Sequence, residues 1–129
     1  MNQQARGMEN HLINAELQQQ LREEYETKNY AVINASREAG KPDSLEYSFN
    51  LNILEEYLQY VRNHANEQGI NNVTVKICMA QYPESHPDSR MNQNYRGYQT
   101  IFLKAVNSES DVDLDNTEGL NFTGIRPPY

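Results

Sequence analysis

The chain has 129 residues, 37% of them hydrophobic, and its mean hydropathy is −0.89, so it can bury a core but a lean one. Its net charge is −7. That argues against nucleic acid and anionic membranes, whose affinity comes from clustered Lys and Arg, and no apolar run is long enough to span a bilayer.

The first residues, 1–7, are polar and read as a disordered extension. From Met8 to Ile33 the chain is rich in Glu, Gln and Leu, with no Pro or Gly. Ile13, Leu17, Leu21, Tyr25, Lys28 and Val32 follow at spacings of three and four, which predicts one long helix over 8–33. Its apolar stripe is thin, so it is expected to lie outside the domain, or to meet a protein partner or a second copy. Gly40 and Pro42 end this region.

"LEYSF", 45–49, reads as a short strand or an extended entry. In "NLNILEEYLQYVRNHANEQG", Leu51, Leu54, Leu58, Val61 and Ala65 repeat at three and four, with a cap from Asn50 or Asn52. This predicts a helix over 51–67 that packs Leu51, Leu54, Leu58 and Val61 on a sheet. "NVTVKICMAQYP" and "GYQTIFLKAV" alternate with period two and are rich in β-branched residues, which predicts strands at 73–82 and 98–106. The acidic, turn-rich segment from 107 and the Pro-Pro ending read as an irregular tail, 107–129. The expected fold is α+β and one domain: a long N-terminal helix, a second amphipathic helix on a small, mainly antiparallel sheet, and that tail.

The two strands are joined by "PESHPDSRMNQNYRG", 83–97. Ordinary hairpins close in about two to five residues. The chain holds nine Tyr and no Trp, and Tyr supplies contact area at low entropic cost. Tyr82, Tyr95 and Tyr98 bracket the loop together with Arg90 and Arg96, a set that could bind an anion or a partner's carboxylate. The alternative is that Tyr82 and Tyr98 are core-edge aromatics and that the middle of the loop is an insertion.

No catalytic constellation appears, so no catalytic residue is assigned. The single thiol, Cys78, sits mid-strand and reads as core filler. His11, His64 and His86 lack partners at ligand spacing, so neither metal nor cofactor is expected. Asp111, Asp113 and Asp115 imitate the start of a calcium loop, but Asn116 and Phe122 stand where its Gly and Glu belong. A lone cysteine and a polar N-terminus suit a cytoplasmic protein.

"YSFNLNILEEYLQYV", "VKICMAQYP", "YQTIFLKAV" and "LNFTGIRPPY" together resemble a set of small uncharacterised Bacteroidetes proteins with a strand running into Tyr-Pro, a variable loop, a second strand and a Pro-Pro tail. The resemblance covers most of 20–129. It implies this organisation and no activity. Where such proteins often carry cysteines around the Pro-Pro, this chain has Arg126 and Tyr129. The expected function is a non-enzymatic interaction or ligand-binding module. The alternatives are a small enzyme using Glu84, His86 or Arg96 where the loop meets the sheet, and an acidic inhibitor or immunity-type protein.

Overall fold

The computed structural model describes residues 7–85, 88–122 and 124–126. Where the sequence suggests one domain, the chain divides into two compact units, 1–40 and 41–129.

In the first unit the helix expected over 8–33 is interrupted twice: residues 10–14 lie outside any helix, and beyond them come two helices, α1 (Ala15–Thr27) and α2 (Asn29–Ala35). Asn14 caps α1, its Oδ1 accepting from the Leu17 N–H at 2.8 Å. The second break falls at Lys28, at φ −116° and ψ −89°. Just before it, the Thr27 hydroxyl donates to the Glu23 carbonyl at 2.8 Å. Such back-bonding competes with the helix ladder and bends it. The helical spacing survives the break, which is why periodicity alone did not reveal it. No residue of α1 or α2 is buried.

The second unit is α+β. It comprises β1 (Glu46–Ser48), α3 (Leu51–Glu67), β2 (Val73–Gln81), a 3₁₀ turn (Gln93–Tyr95), β3 (Gln99–Asn107), β4 (Val112–Asp113) and β5 (Gly124–Arg126). Strands β2, β3 and β4 form an antiparallel sheet in that order. The tail is less irregular than expected. It contributes β4 to this sheet, Leu120 bridges to Leu103, and β5 pairs with β1 in a separate two-stranded ribbon. Two- and three-residue strands carry no periodicity to read. For the same reason 45–49 gives no hint that it pairs with the tail rather than with the main sheet.

Asn50 caps α3, accepting from the N–H groups of Asn52 and Ile53. The buried stripe of α3 is Tyr57, Val61 and Ala65, joined by Leu103, Ala105 and Leu114 in one core. Leu51 and Leu58, expected in that face, are 67% and 41% exposed. The helix is turned so that Tyr57 goes inward, because its hydroxyl finds acceptors there: the carbonyls of Glu118 at 2.9 Å and Leu103 at 3.4 Å. Burial, and secondly the neighbouring Tyr60, raise the Tyr57 pKa above its ordinary value.

A second core gathers Tyr82, Met91, Tyr98 and Ile125, with Tyr47 and Tyr95 against it. Met91 is 4% exposed, so the middle of the long loop is pinned and not merely inserted. The buried Asp43 and Ser44 tie the start of this unit to β3. Asp43 Oδ1 accepts from the Gln99 N–H at 2.8 Å and from the Ser44 N–H at 2.7 Å, and Oδ2 accepts from Gln99 Nε2. Ser44 Oγ donates to the Gln99 carbonyl at 2.7 Å.

Two sets of substitutions check this packing in urea denaturation. Leu103→Ala is expected to cost about 2–5 kcal/mol, by transfer and cavity terms. Leu58→Ala is expected to cost under about 1 kcal/mol. Comparable costs at the two sites would contradict the orientation of α3. Asp43→Ala strands buried donors and is expected to cost about 2–4 kcal/mol, and Asp43→Asn, which keeps one acceptor, less.

Candidate functional site

Alternation along β2 and β3 sends Val73, Val75, Leu103 and Ala105 toward α3, and Ala80, Thr100 and Phe102 to the opposite face. Over that opposite face lies a groove of about 660 Å³. Ala80, Thr100 and Phe102 form its floor, Tyr82 stands at one end, and the segment 118–122 makes its far wall.

That wall is held at nearly every residue. The Tyr57 hydroxyl donates to the Glu118 carbonyl, and the Glu118 N–H donates to the Tyr60 hydroxyl at 2.8 Å. Leu120 exchanges both backbone bonds with Leu103, at 2.8 and 2.9 Å. Asn121 Nδ2 donates to the Ile101 carbonyl at 2.5 Å, and its Oδ1 accepts from the Tyr82 hydroxyl at 3.1 Å. Gly119 lies so close to β3 that a Cβ there would fall 2.8 Å from the Leu103 carbonyl oxygen, so only glycine fits.

The wall ends in an outlier. Phe122 has φ +57° and is 40% exposed. A bulky residue gains nothing from the left-handed region and is strained there. Its ring lies under the Arg90 guanidinium, whose Cζ is 4.5 Å from the ring centroid. Asp88 holds that guanidinium in a fork, with Nε to Oδ1 at 3.1 Å and Nη2 to Oδ2 at 3.0 Å. These hydrogen bonds lower the Asp88 pKa to about 2 and raise that of Arg90. The pair therefore keeps both charges through mildly acidic pH.

Of the five residues singled out in the sequence, the three tyrosines meet in the second core, while Arg90 bonds Asp88 and Arg96 bonds Gln93. Tyr82 and Arg90 line the groove. Tyr98 is buried in the second core. Tyr95 stacks on Tyr82 with ring centroids 6.1 Å apart, and lines a separate cavity of about 310 Å³ with Tyr47 and Ile125. Arg96 donates from Nε and Nη2 to Gln93 Oε1. His86 lies outside the described residues. Of the residues that complete the groove, Leu120 and Phe122 show in the sequence as apolar anchors of the tail, with nothing to place them beside β3.

The acidic turn has a different use. Lys76 and Lys104 face each other across β2 and β3, and like charges placed so are destabilising. Asp111 meets Lys76 at 2.6 Å and Asp113 meets Lys104 at 3.0 Å. Hydrogen bonding within these pairs lowers the Asp111 pKa and raises that of Lys104. Among the described residues no group of three or more His, Cys, Asp or Glu could hold a metal ion, and no helix is long and apolar enough to cross a membrane.

No protein-family model, curated protein or solved structure matches the chain.

The strain at position 122 has a measurable signature. Phe122→Gly loses the ring contact but releases the backbone, and is expected to change stability by less than about 1 kcal/mol. Phe122→Val puts a β-branched residue at the same φ and is expected to cost about 1–3 kcal/mol. Equal costs in urea denaturation would remove the strain argument.

Proposed function

We propose that the chain is a non-catalytic binding module whose site is the groove between the β2–β3 face and the segment 118–122. The observation that carries this reading is Phe122, a strained and partly exposed aromatic held under Arg90 at the end of a wall otherwise fastened by hydrogen bonds. Strain of this kind persists where the surrounding structure enforces it, and it gathers at ligand clamps. An apolar floor with a few convergent polar groups is the usual composition of a ligand site. Phe102, Phe122 and Leu120 supply the apolar surface, and Asn121 and Arg90 line it with polar groups. The fitting ligand has a flat or branched apolar body and an acceptor group that reaches Arg90. A protein side chain or a small molecule meets that description. Nucleic acid does not suit a chain of net charge −7.

A second surface is favoured by its own observation. Ile13, Leu17 and Leu21 of the first unit are 43%, 38% and 55% exposed, an apolar stripe that suits a partner helix. A reducing, cytoplasmic setting suits the single free thiol, Cys78. Kinship with the Bacteroidetes proteins rests on the shared motifs and leaves the ligand open.

Anilinonaphthalene sulfonate, an aromatic anion, is the probe for the groove. Its titration into the labelled protein is expected to shift the amide NMR signals of Thr100, Phe102 and Asn121. Combined Arg90→Ala and Phe122→Gly should weaken binding by about tenfold or more with the fold intact. Saturable binding that leaves these amides unmoved, or that survives the double variant unchanged, would overturn the assignment.

A further inference from the structure

Among the described residues, strand β2 is the outer strand of its sheet, bonded to β3 on one edge only. Which backbone groups face outward follows from the ladder. The N–H of Tyr82 donates to the Tyr98 carbonyl, and in β3 the odd-numbered Leu103 and Ala105 bond away from β2, to Leu120 and Leu114. With the register Thr74↔Val106 through Ala80↔Thr100, the even-numbered residues of β2 bond to β3. The N–H and C=O groups of Val73, Val75, Ile77, Met79 and Gln81 point out of the sheet edge.

Natural edges of this length are blunted by proline, bulges, inward-pointing charges or a covering element. Val73–Gln81 has no proline and pairs in unbroken register over all nine residues. Ile77 and Met79, on the α3 side of the sheet, are 67% and 68% exposed. The strand's one charge is Lys76, which pairs with Asp111 of the turn before β4 at 2.6 Å and points to the face away from α3. In a chain of net charge −7, Val73–Gln81 itself carries no acidic residue, so pairing along it sets no acid of one strand against an acid of the other.

We infer that two copies of this chain pair antiparallel through β2, with the two-fold axis at Ile77, to make one continuous sheet. The sequence of the strand selects this register. With Ile77 on the axis all of Val73–Gln81 is paired. Ile77 meets its own counterpart, Val75 meets the second copy's Met79, and Lys76 meets the second copy's Cys78. Moving the axis to Lys76 puts two lysines in a close non-bonded pair, which is destabilising. Moving it to Cys78 leaves the start of the strand unpaired. The outward groups of Val75, Ile77 and Met79 then exchange N–H···O bonds across the axis, and the exposed Ile77 and Met79 side chains cover one another.

The strand carries its own reporter. In this register the two Cys78 residues lie diagonally on the same face, about 7–8 Å apart. Sedimentation equilibrium on the full chain is expected to show a dimer, and a short bismaleimide is expected to cross-link it through Cys78. Ile77→Pro removes an outward N–H and leaves the β2–β3 ladder whole. It should weaken dimerisation by about tenfold or more while the circular dichroism spectrum is retained. Ile77→Lys, which sets like charges on the axis, should do the same and covers the case in which the proline variant does not fold. In the wild type, exchange of the Val75, Ile77 and Met79 amides should slow with rising protein concentration. A wild type that stays monomeric at every soluble concentration would overturn the inference. So would a dimer that survives Ile77→Lys and is lost with Leu17→Asp, which would place the contact on α1.

Discussion

The backbone carbonyl of Leu103 is where the second unit is joined together. It accepts from the Leu120 N–H, lies within 3.4 Å of the Tyr57 hydroxyl, and excludes any side chain at residue 119. The Leu103 side chain meanwhile belongs to the core under α3. One residue of one strand thus sets the depth of the helix, the course of the tail and the position of the groove wall. A core this lean cannot hold all three by apolar contact alone. Tyrosines do it instead, with rings that count as core and hydroxyls that reach backbone atoms. That use accounts for a good part of the tyrosine excess. Tyr57 and Tyr60 take the two polar backbone groups of Glu118, and Tyr82 takes Asn121.

Much of the fold was legible in the sequence where an element is long enough to show its period. The strands 73–82 and 98–106 and the helix 51–67 match β2, β3 and α3 to within a residue or so. The face of α3 was harder to read. Leucines mark a buried stripe only when nothing else competes for the interior. Here a tyrosine with two carbonyl acceptors takes Leu58's place. The helix break at Lys28, the strands β4 and β5 and the partner of β1 escaped for a common reason. They are set by single hydrogen bonds or by partners far along the chain, such as Tyr47 against Ile125.

The candidate site shows the same limit. Tyr82 and Arg90 could be picked out because aromatic and guanidinium groups beside a loop are conspicuous. Their partners could not, since Arg90 meets Phe122 only after the tail has run back along β3. A left-handed φ at a phenylalanine leaves no trace in composition, as residues that favour that region are glycine and asparagine. Asn116, also at positive φ, is the ordinary case. Met91 stands among polar loop residues, which hides in the sequence that it anchors the second core.

The closeness of Gly119 to β3 has a consequence for how the groove can vary. Most binding sites change width through the side chains that line them. Here one added methyl at residue 119 would press on the Leu103 carbonyl and lever the whole 118–122 segment outward. The floor would meet it too, since that methyl would lie 3.7 Å from the Phe102 ring and Asn121 Nδ2 donates to the Thr100 hydroxyl at 3.4 Å. The width of the groove is thereby tied to a backbone position that adds no side chain to its lining. A chain with alanine there would keep every lining side chain and yet enclose a differently shaped space.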